Sequence, residues 1–285
     1  MSVEHYTGRL APSPTGLLHL GHAATFWTAY QRTLAHQGTL LFRNEDLDPQ
    51  RSKPEYVDAM IEDLAWLGIE WSSPMIVQSQ RIELYLAAFE RLLATGHAYA
   101  CTCSRKDLAQ MIAAPHEDTD DEPVYNGRCR PDDEAPPQTL RPSMNYRFRV
   151  PDGEVITFND NNLGPQSFTA GKDFGDFLIW RKALSPKDPA NLPSYQLACV
   201  VDDAAMQITE VVRGADLLKS TARQILLQRA LSLPTPACFH TQLVRDEQGT
   251  RLAKRHDVLA IRTLRQQGLT PADVIEQISC FTQRK

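Results

Sequence analysis

The chain has 285 residues, 42% of them hydrophobic, and a formal net charge of -5. That size can bury a substantial core, as one large domain with an insertion or as two modest ones. The charge argues against a protein that coats nucleic acid indiscriminately, since that mode neutralises many phosphates. No segment approaches the roughly 20 apolar residues of a membrane span, and the N-terminus lacks the basic start and apolar run of a signal peptide, so a cytoplasmic protein is expected.

Taken in chain order, a short strand ends near Ala11, and turn formers from Pro12 to Gly16 hand over to a helix from about Gly21 to Gln37, closed by Gly38. Thr39–Arg43 reads as the next strand of a parallel α/β unit. Pro54 suits a first helical position, Tyr56, Met60, Ile61, Leu64 and Leu67 mark one face, and Gly68 stops that helix. A further helix is predicted from about Arg81 to Thr95. After Gly96 the chain turns richer in proline, acidic residues and short strand-like pieces such as Asn145–Val150, the pattern of an inserted subdomain. Phe177–Trp180 and Tyr195–Val201 are expected as buried strands or sheet-adjacent segments. Ile208–Val212 follows, then a helix from about Leu217 to Leu231. From Phe239 onward come a strand, a charged loop and two short helices, the last opened by Thr270-Pro271. The expected division is therefore 1–97 and 172–236 as two halves of one α/β domain, 98–171 as the insertion, and 237–285 as a loop with C-terminal helices.

Two groups of residues carry chemistry. His19 and His22 fall at the start of the first helix, where free N–H groups and partial positive charge suit an anion such as phosphate. Of six cysteines, Cys101, Cys103 and Cys129 cluster in the insertion, whereas Cys199, Cys238 and Cys280 lie singly among apolar neighbours. Three thiolates and one more donor would close a structural zinc site, with His97 or His116 able to serve as that donor, and free buried thiols are the competing reading. A basic stretch with Arg245, Arg251, Lys254, Arg255, Arg262 and Arg265 is the expected face for a nucleic acid, against an acidic tract at 116–122.

The string Arg9-Leu10-Ala11-Pro12-Ser13-Pro14-Thr15-Gly16 followed by His19-Leu20-Gly21-His22 closely resembles the signature of class I aminoacyl-tRNA synthetases of the glutamyl and glutaminyl branch. Phe42–Asp48, Ser194–Ala198 leading to Asp202-Asp203, Val212–Asp216 and Arg251–Arg255 follow in that family's order. The resemblance implies a Rossmann-like catalytic domain with a parallel sheet, a zinc-containing insertion and a short α-helical C-terminal region. Full-length glutamyl members continue past Lys254 into an anticodon-binding helical domain. The earlier end here resembles the branch's short paralogues, which activate L-glutamate with ATP in the absence of tRNA and attach it to queuosine in the anticodon of tRNA(Asp).

By that resemblance, His19, His22 and a mobile Lys254 hold the ATP phosphates, with Mg2+ shielding them. Arg9 and Arg213 pair the two carboxylates of glutamate, Arg9 with the side chain and Arg213 with the α-carboxylate. Glu45 pairs the ammonium, while Ser13 and Tyr195 add neutral hydrogen bonds. A glutamate-selective pocket needs such a set of two cations and one anion. The family's zinc ligands include a tyrosine, which makes the set Cys101, Cys103, Tyr125 and Cys129. One departure stands out: Arg251 and Ala253 occupy loop positions where the family usually has lysine and serine. Two rival readings remain, a glutamate-activating ligase with another acceptor and a non-catalytic synthetase paralogue.

Overall fold

The computed structural model describes residues 5–103, 124–132, 144–182, 191–243 and 260–283, with side chains described through 279. Strands β1 (Thr7–Leu10) and β2 (Thr39–Asn44) pair in parallel, Gly8 opposite Leu40 and Leu10 opposite Phe42. Parallel neighbours need a crossover, and helix α1 (Leu20–Ala35) supplies it. The exit from α1 is tight, because Gln37 takes a φ of 51° and a Cβ on Gly38 would lie 2.4 Å from the Tyr6 carbonyl oxygen. Only glycine lets the chain pass so close to the approach to β1. Helix α2 (Pro54–Trp66) starts on its proline and ends before Gly68, whose φ is 77°. It leads to β3 (Ser72–Val77), which adds to the far side of β2 in parallel. Leu10, Leu20, Ala23, Phe42, Met60 and Leu64 form the core between this sheet and its helices.

Helix α3 (Ile82–Ala94) carries the chain into β4 (Ala98–Cys101), which pairs antiparallel with β5 (Asn145–Phe148). The hairpin β6 (Val155–Asp160) and β7 (Gly164–Thr169) follows, then β8 (Phe177–Lys182) and β9 (Asn191–Pro193). The strand over 177–182 joins an antiparallel sheet of order β4-β5-β8-β9, outside the parallel one. Phe89 of α3 packs between Trp180 and Tyr146, with ring centroids 4.8 and 4.9 Å away.

Tyr195–Val201 is not a strand. It opens helix α4 (Tyr195–Ala205), which Ser194 starts by accepting a hydrogen bond from the Leu197 N–H. Its apolar run is buried all round, and a short run of that kind has no period to separate strand from helix. Strand β10 (Glu210–Gly214), helix α5 (Leu218–Ala230) and strand β11 (Ala237–Thr241) form a second parallel crossover, with Arg213 opposite His240. The two parallel units meet where Thr209 N–H donates to the Thr7 carbonyl at 2.9 Å. The β6–β7 hairpin extends the second unit, β6 pairing with β11 through Asp160 and Cys238. Helices α6 (Ile261–Gln266) and α7 (Pro271–Gln283) close the chain, and Ile261, Leu264, Val274 and Ile278 enter the first core.

Glu210 fastens these pieces together. Its carboxylate accepts both forks of Arg32 from α1 at 2.6 and 2.7 Å, the Tyr6 hydroxyl at 2.8 Å and the Asn161 amide at 2.7 Å. Burial would raise its pKa, but these donors outweigh that and hold it below the usual glutamate value.

Candidate active site and metal centre

A cavity of about 270 Å3 opens where β1 and β10 end beside the start of α1, lined among others by Arg9, His19, His22, Glu45, Tyr195 and Arg213. Ser13 is exposed and is not among the lining residues, and Lys254, Arg251 and Ala253 lie outside the described residues. Phe26, Asp216, Leu217, Gln242 and Leu243, which no sequence pattern singled out by role, complete the walls.

The turn at Pro12–Gly16 releases the chain so that His19 caps α1. Its Nδ1 accepts the N–H groups of Gly21 and His22 at 3.2 and 3.4 Å. His22 Nδ1 in turn accepts the His19 N–H at 3.5 Å, and the two rings stack at 3.6 Å. With both Nδ1 atoms accepting, each ring carries its proton on Nε2. Two imidazole donors and a helix N-terminus thus converge on one wall of the cavity.

The opposite wall is cationic and supported from below. Arg43, fully buried, donates to Glu45 at 2.9 Å and to Asp203 at 2.6 Å. Asp203 also lies 3.5 Å from Arg9, whose Nη1 donates to the Val212 carbonyl at 2.8 Å. Burial raises the Glu45 carboxyl above its ordinary pKa despite Arg43 beside it. Asp203 is held below its own, because Arg43 and Arg9 overcome the same burial. Asp202 lies 3.8 Å from the same Arg43 and accepts Gln78, Arg81 and Tyr85 at 2.7 to 2.8 Å, tying α4 to the start of α3. The adjacent Asp202-Asp203 pair therefore braces the site from two sides.

Arg213 donates through Nη2 to Thr221 at 2.7 Å, through Nε to His240 at 3.2 Å, and through Nη1 to the Tyr195 hydroxyl at 3.4 Å. Tyr195 is 37% exposed at the cavity mouth.

The sulfur atoms of Cys101, Cys103 and Cys129 lie within 4.8 Å of one another. The Tyr125 hydroxyl is 3.7 Å from Cys101 Sγ and 3.5 Å from Cys103 Sγ, and Cys103 and Cys129 sulfurs are 3.5 Å apart. Four donors on the corners of a tetrahedron with zinc–sulfur bonds of about 2.3 Å would be roughly 3.8 Å apart, so the set fits a metal of that size. Burial alone would raise the Cys129 thiol, but hydrogen bonds with Tyr125 and Thr102 bring it down to about 6. Arg147 steadies the cluster, donating to Cys101 Sγ at 3.3 Å with its guanidinium 3.9 Å over the Tyr125 ring. His97 is bonded instead to Thr95 at 2.8 Å, and His116 lies outside the described residues.

Of the basic stretch, Arg262 pairs with Glu62 and Arg265 stands over Trp66 at 5.9 Å, so both are engaged with α2.

Parallel α/β crossovers with a histidine-capped helix facing a buried arginine and glutamate pocket define the catalytic domain of a class I tRNA synthetase. The family model "tRNA synthetases class I (E and Q), catalytic domain" matches residues 6–282. The chain is 41% identical over 283 residues to the glutamyl-Q tRNA(Asp) synthetase of Symbiobacterium thermophilum, covering 95% of this chain and 85% of that protein. To the protein of the same name from Geobacter sulfurreducens it is 43% identical, covering 89% and 77%. A glutamate tRNA ligase from Elizabethkingia meningosepticum, solved in complex with its amino acid, superposes with a TM-score of 0.72 at 28% identity, covering 89% of this chain and 52% of that one. The chain thus spans about half the length of that ligase. It belongs to the class I tRNA synthetase family for glutamate and glutamine, in the group of glutamyl-Q tRNA(Asp) synthetases. Among the described residues no helix is long and apolar enough to cross a membrane.

Proposed function

We propose that this protein activates L-glutamate with ATP, in the absence of tRNA, and transfers the glutamyl group to queuosine in the anticodon of tRNA(Asp). The observation that carries this reading is the single cavity where two arginines and a glutamate face the two histidines.

Glutamate has two carboxylates and one ammonium, and the cavity matches that charge pattern. Arg9 takes the side-chain carboxylate, Arg213 the α-carboxylate and Glu45 the ammonium, with Tyr195 adding a hydroxyl. Glutamine would leave one guanidinium unpaired in a buried site, a cost of about 1–3 kcal/mol. An α-carboxylate oxygen then attacks the α-phosphorus of ATP and pyrophosphate leaves. No protein nucleophile is required, so the protein's work is positioning and charge stabilisation. His19 and His22 donate through Nε2 to the phosphate oxygens, and Lys254 meets the charge on the leaving pyrophosphate. Mg2+ enters with ATP as a hard, largely hydrated ion. In the second step a nucleophilic group of the modified base attacks the acyl carbon and AMP leaves. Unstacked anticodon bases are accessible to such a site, as single-stranded loops generally are. Cys101, Cys103, Tyr125 and Cys129 would hold one zinc ion as a structural tie.

The test is glutamate-dependent exchange of pyrophosphate into ATP without tRNA, followed by transfer of labelled glutamate to tRNA(Asp) with and without queuosine. Exchange is expected without tRNA, and transfer only to the queuosine-containing form. Absence of exchange would favour a non-catalytic paralogue. Transfer to the unmodified tRNA would point to another acceptor.

A further inference from the structure

Behind Arg213 lies a buried polar chain that the activation chemistry does not use. Asp160, at the end of β6, accepts His240 Nδ1 at 2.6 Å and the backbone N–H groups of His240, Asn162 and Leu163 at 2.8 to 3.0 Å. His240, on β11, is fully buried. Its Nδ1 proton is committed to Asp160, so Nε2 is left as a lone pair, and the Nε–H of Arg213 donates to it at 3.2 Å. Thr221 takes Arg213 Nη2 at 2.7 Å, and its hydroxyl lies 3.0 Å from the same His240 Nε2 and 3.3 Å from the Leu217 carbonyl, so Thr221 and Arg213 both hold the histidine nitrogen. The Nε–Nη2 edge of the guanidinium is thereby occupied from behind. Nη1, whose contact with the Tyr195 hydroxyl is long at 3.4 Å, and the second N–H of Nη2 are the donors left to offer a planar carboxylate partner at the cavity.

We propose that Asp160 and His240 form a positioning pair that aims the Arg213 fork at the amino-acid carboxylate and so sets affinity for glutamate. This rests on the reading of Arg213 as a glutamate-binding residue. A protonated His240 would point an N–H at the N–H of Arg213, and burial together with the Arg213 charge keeps its pKa below the usual histidine value. Asp160, Cys238 and His240 also group like metal ligands. The carboxylate is already filled by four N–H donors, both histidine nitrogens are engaged, and burial beside Asp160 pushes the Cys238 thiol up to about 12. The cluster is satisfied as a hydrogen-bonded pair.

The experiment compares His240→Asn, His240→Gln, Asp160→Asn and Arg213→Ala in tRNA-independent pyrophosphate exchange, with KM measured separately for glutamate and ATP. Asparagine can keep the donor to Asp160 and removes the acceptor for Arg213, whereas glutamine can restore an acceptor near the Nε2 position. His240→Asn is expected to raise the glutamate KM about tenfold, the loss of one charge-assisted hydrogen bond, and to leave the ATP KM within about twofold. His240→Gln should recover most of that loss, and Asp160→Asn, which frees the histidine tautomer, should repeat it. A glutamate KM unchanged in both His240→Asn and Asp160→Asn, or a parallel rise for glutamate and ATP in every variant, would overturn the pair's role. Arg213→Ala separates the two claims: if it too leaves the glutamate KM unchanged, the assignment of Arg213 to glutamate fails. If Arg213→Ala alone raises it, only the positioning pair fails.

Discussion

Glu45 shows how burial sets a working pH at the level of one side chain. Burial raises its carboxyl above the ordinary glutamate value while Arg43 pulls the other way. Only the carboxylate form can pair with an ammonium, so if Glu45 holds the ammonium as proposed, affinity for glutamate is present above that pKa and lost as pH falls through it. Glutamate KM measured in pyrophosphate exchange should climb on acidification, starting at a higher pH than an ordinary glutamate would give and reaching about tenfold per pH unit. Glu45→Gln should raise KM at neutral pH and remove the acid limb. A pH-independent KM in the native enzyme would separate Glu45 from the ammonium. His19 yields a second single-residue prediction, because its Nδ1 caps α1 while its Nε2 carries a proton beside the cavity. His19→Asn preserves a cap acceptor, so urea unfolding should stay within about 0.5 kcal/mol. Exchange activity should nevertheless drop about a hundredfold, the usual loss when one preorganised donor to a developing charge is removed.

Among elements, the packing of α6 on α2 contains an unresolved conflict. Asp63 on α2 is fully buried, and among the described residues neither of its carboxylate oxygens has a hydrogen-bond partner. Burial raises its pKa from 3.8 to about 6, although Arg262 and Arg265 on α6 draw it down. Between those values the folded state binds the extra proton, so stability is highest below about pH 4, falls as pH rises to about 6 and stays reduced above. Asp63→Asn should flatten that region in urea titrations and add about 1–3 kcal/mol at pH 8. If the mutant and native curves coincide at both pH 5 and pH 8, the carboxylate is not strained. The elements themselves were largely legible in sequence: Pro54, Gly68 and the helical spacing between them gave α2, and Thr270-Pro271 gave the start of α7. The short strands β3, β6, β7 and β9 were not legible. Helix α4, expected as a buried strand or sheet-adjacent segment, has its apolar run covered on every side, which erases the period that distinguishes helix from strand.

At the scale of the whole molecule, chain order and spatial order diverge, and that limits what sequence reading reaches. Arg9, Glu45, Tyr195 and Arg213 sit in recognisable strings, so their meeting in one cavity could be anticipated. Asp160, Thr221 and His240 carry no local pattern: His240 meets Arg213 across the β10–β11 pair, Thr221 reaches it from α5, and Asp160 reaches His240 because the β6–β7 hairpin crosses to pair with β11. The strand over 177–182 likewise crosses to the antiparallel sheet. Segments that follow β5 thus serve two of the three sheets, and unfolding of the cysteine-bearing region should propagate through the protein. The metal prediction follows from this braid. Purified protein should contain one zinc ion per chain, and Cys103→Ser or Cys129→Ser should abolish it. Because β4 leads from α3 to Cys101 and pairs with β5, whose Tyr146 packs on Phe89 of α3, metal loss should lower the midpoint of a single cooperative thermal transition. A shift of roughly 2–4 °C is expected for each kcal/mol lost. A separate low-temperature transition, with the main one unmoved, would instead mean that the cysteine cluster melts independently and that the shared strands do not couple it to the arginine-lined cavity.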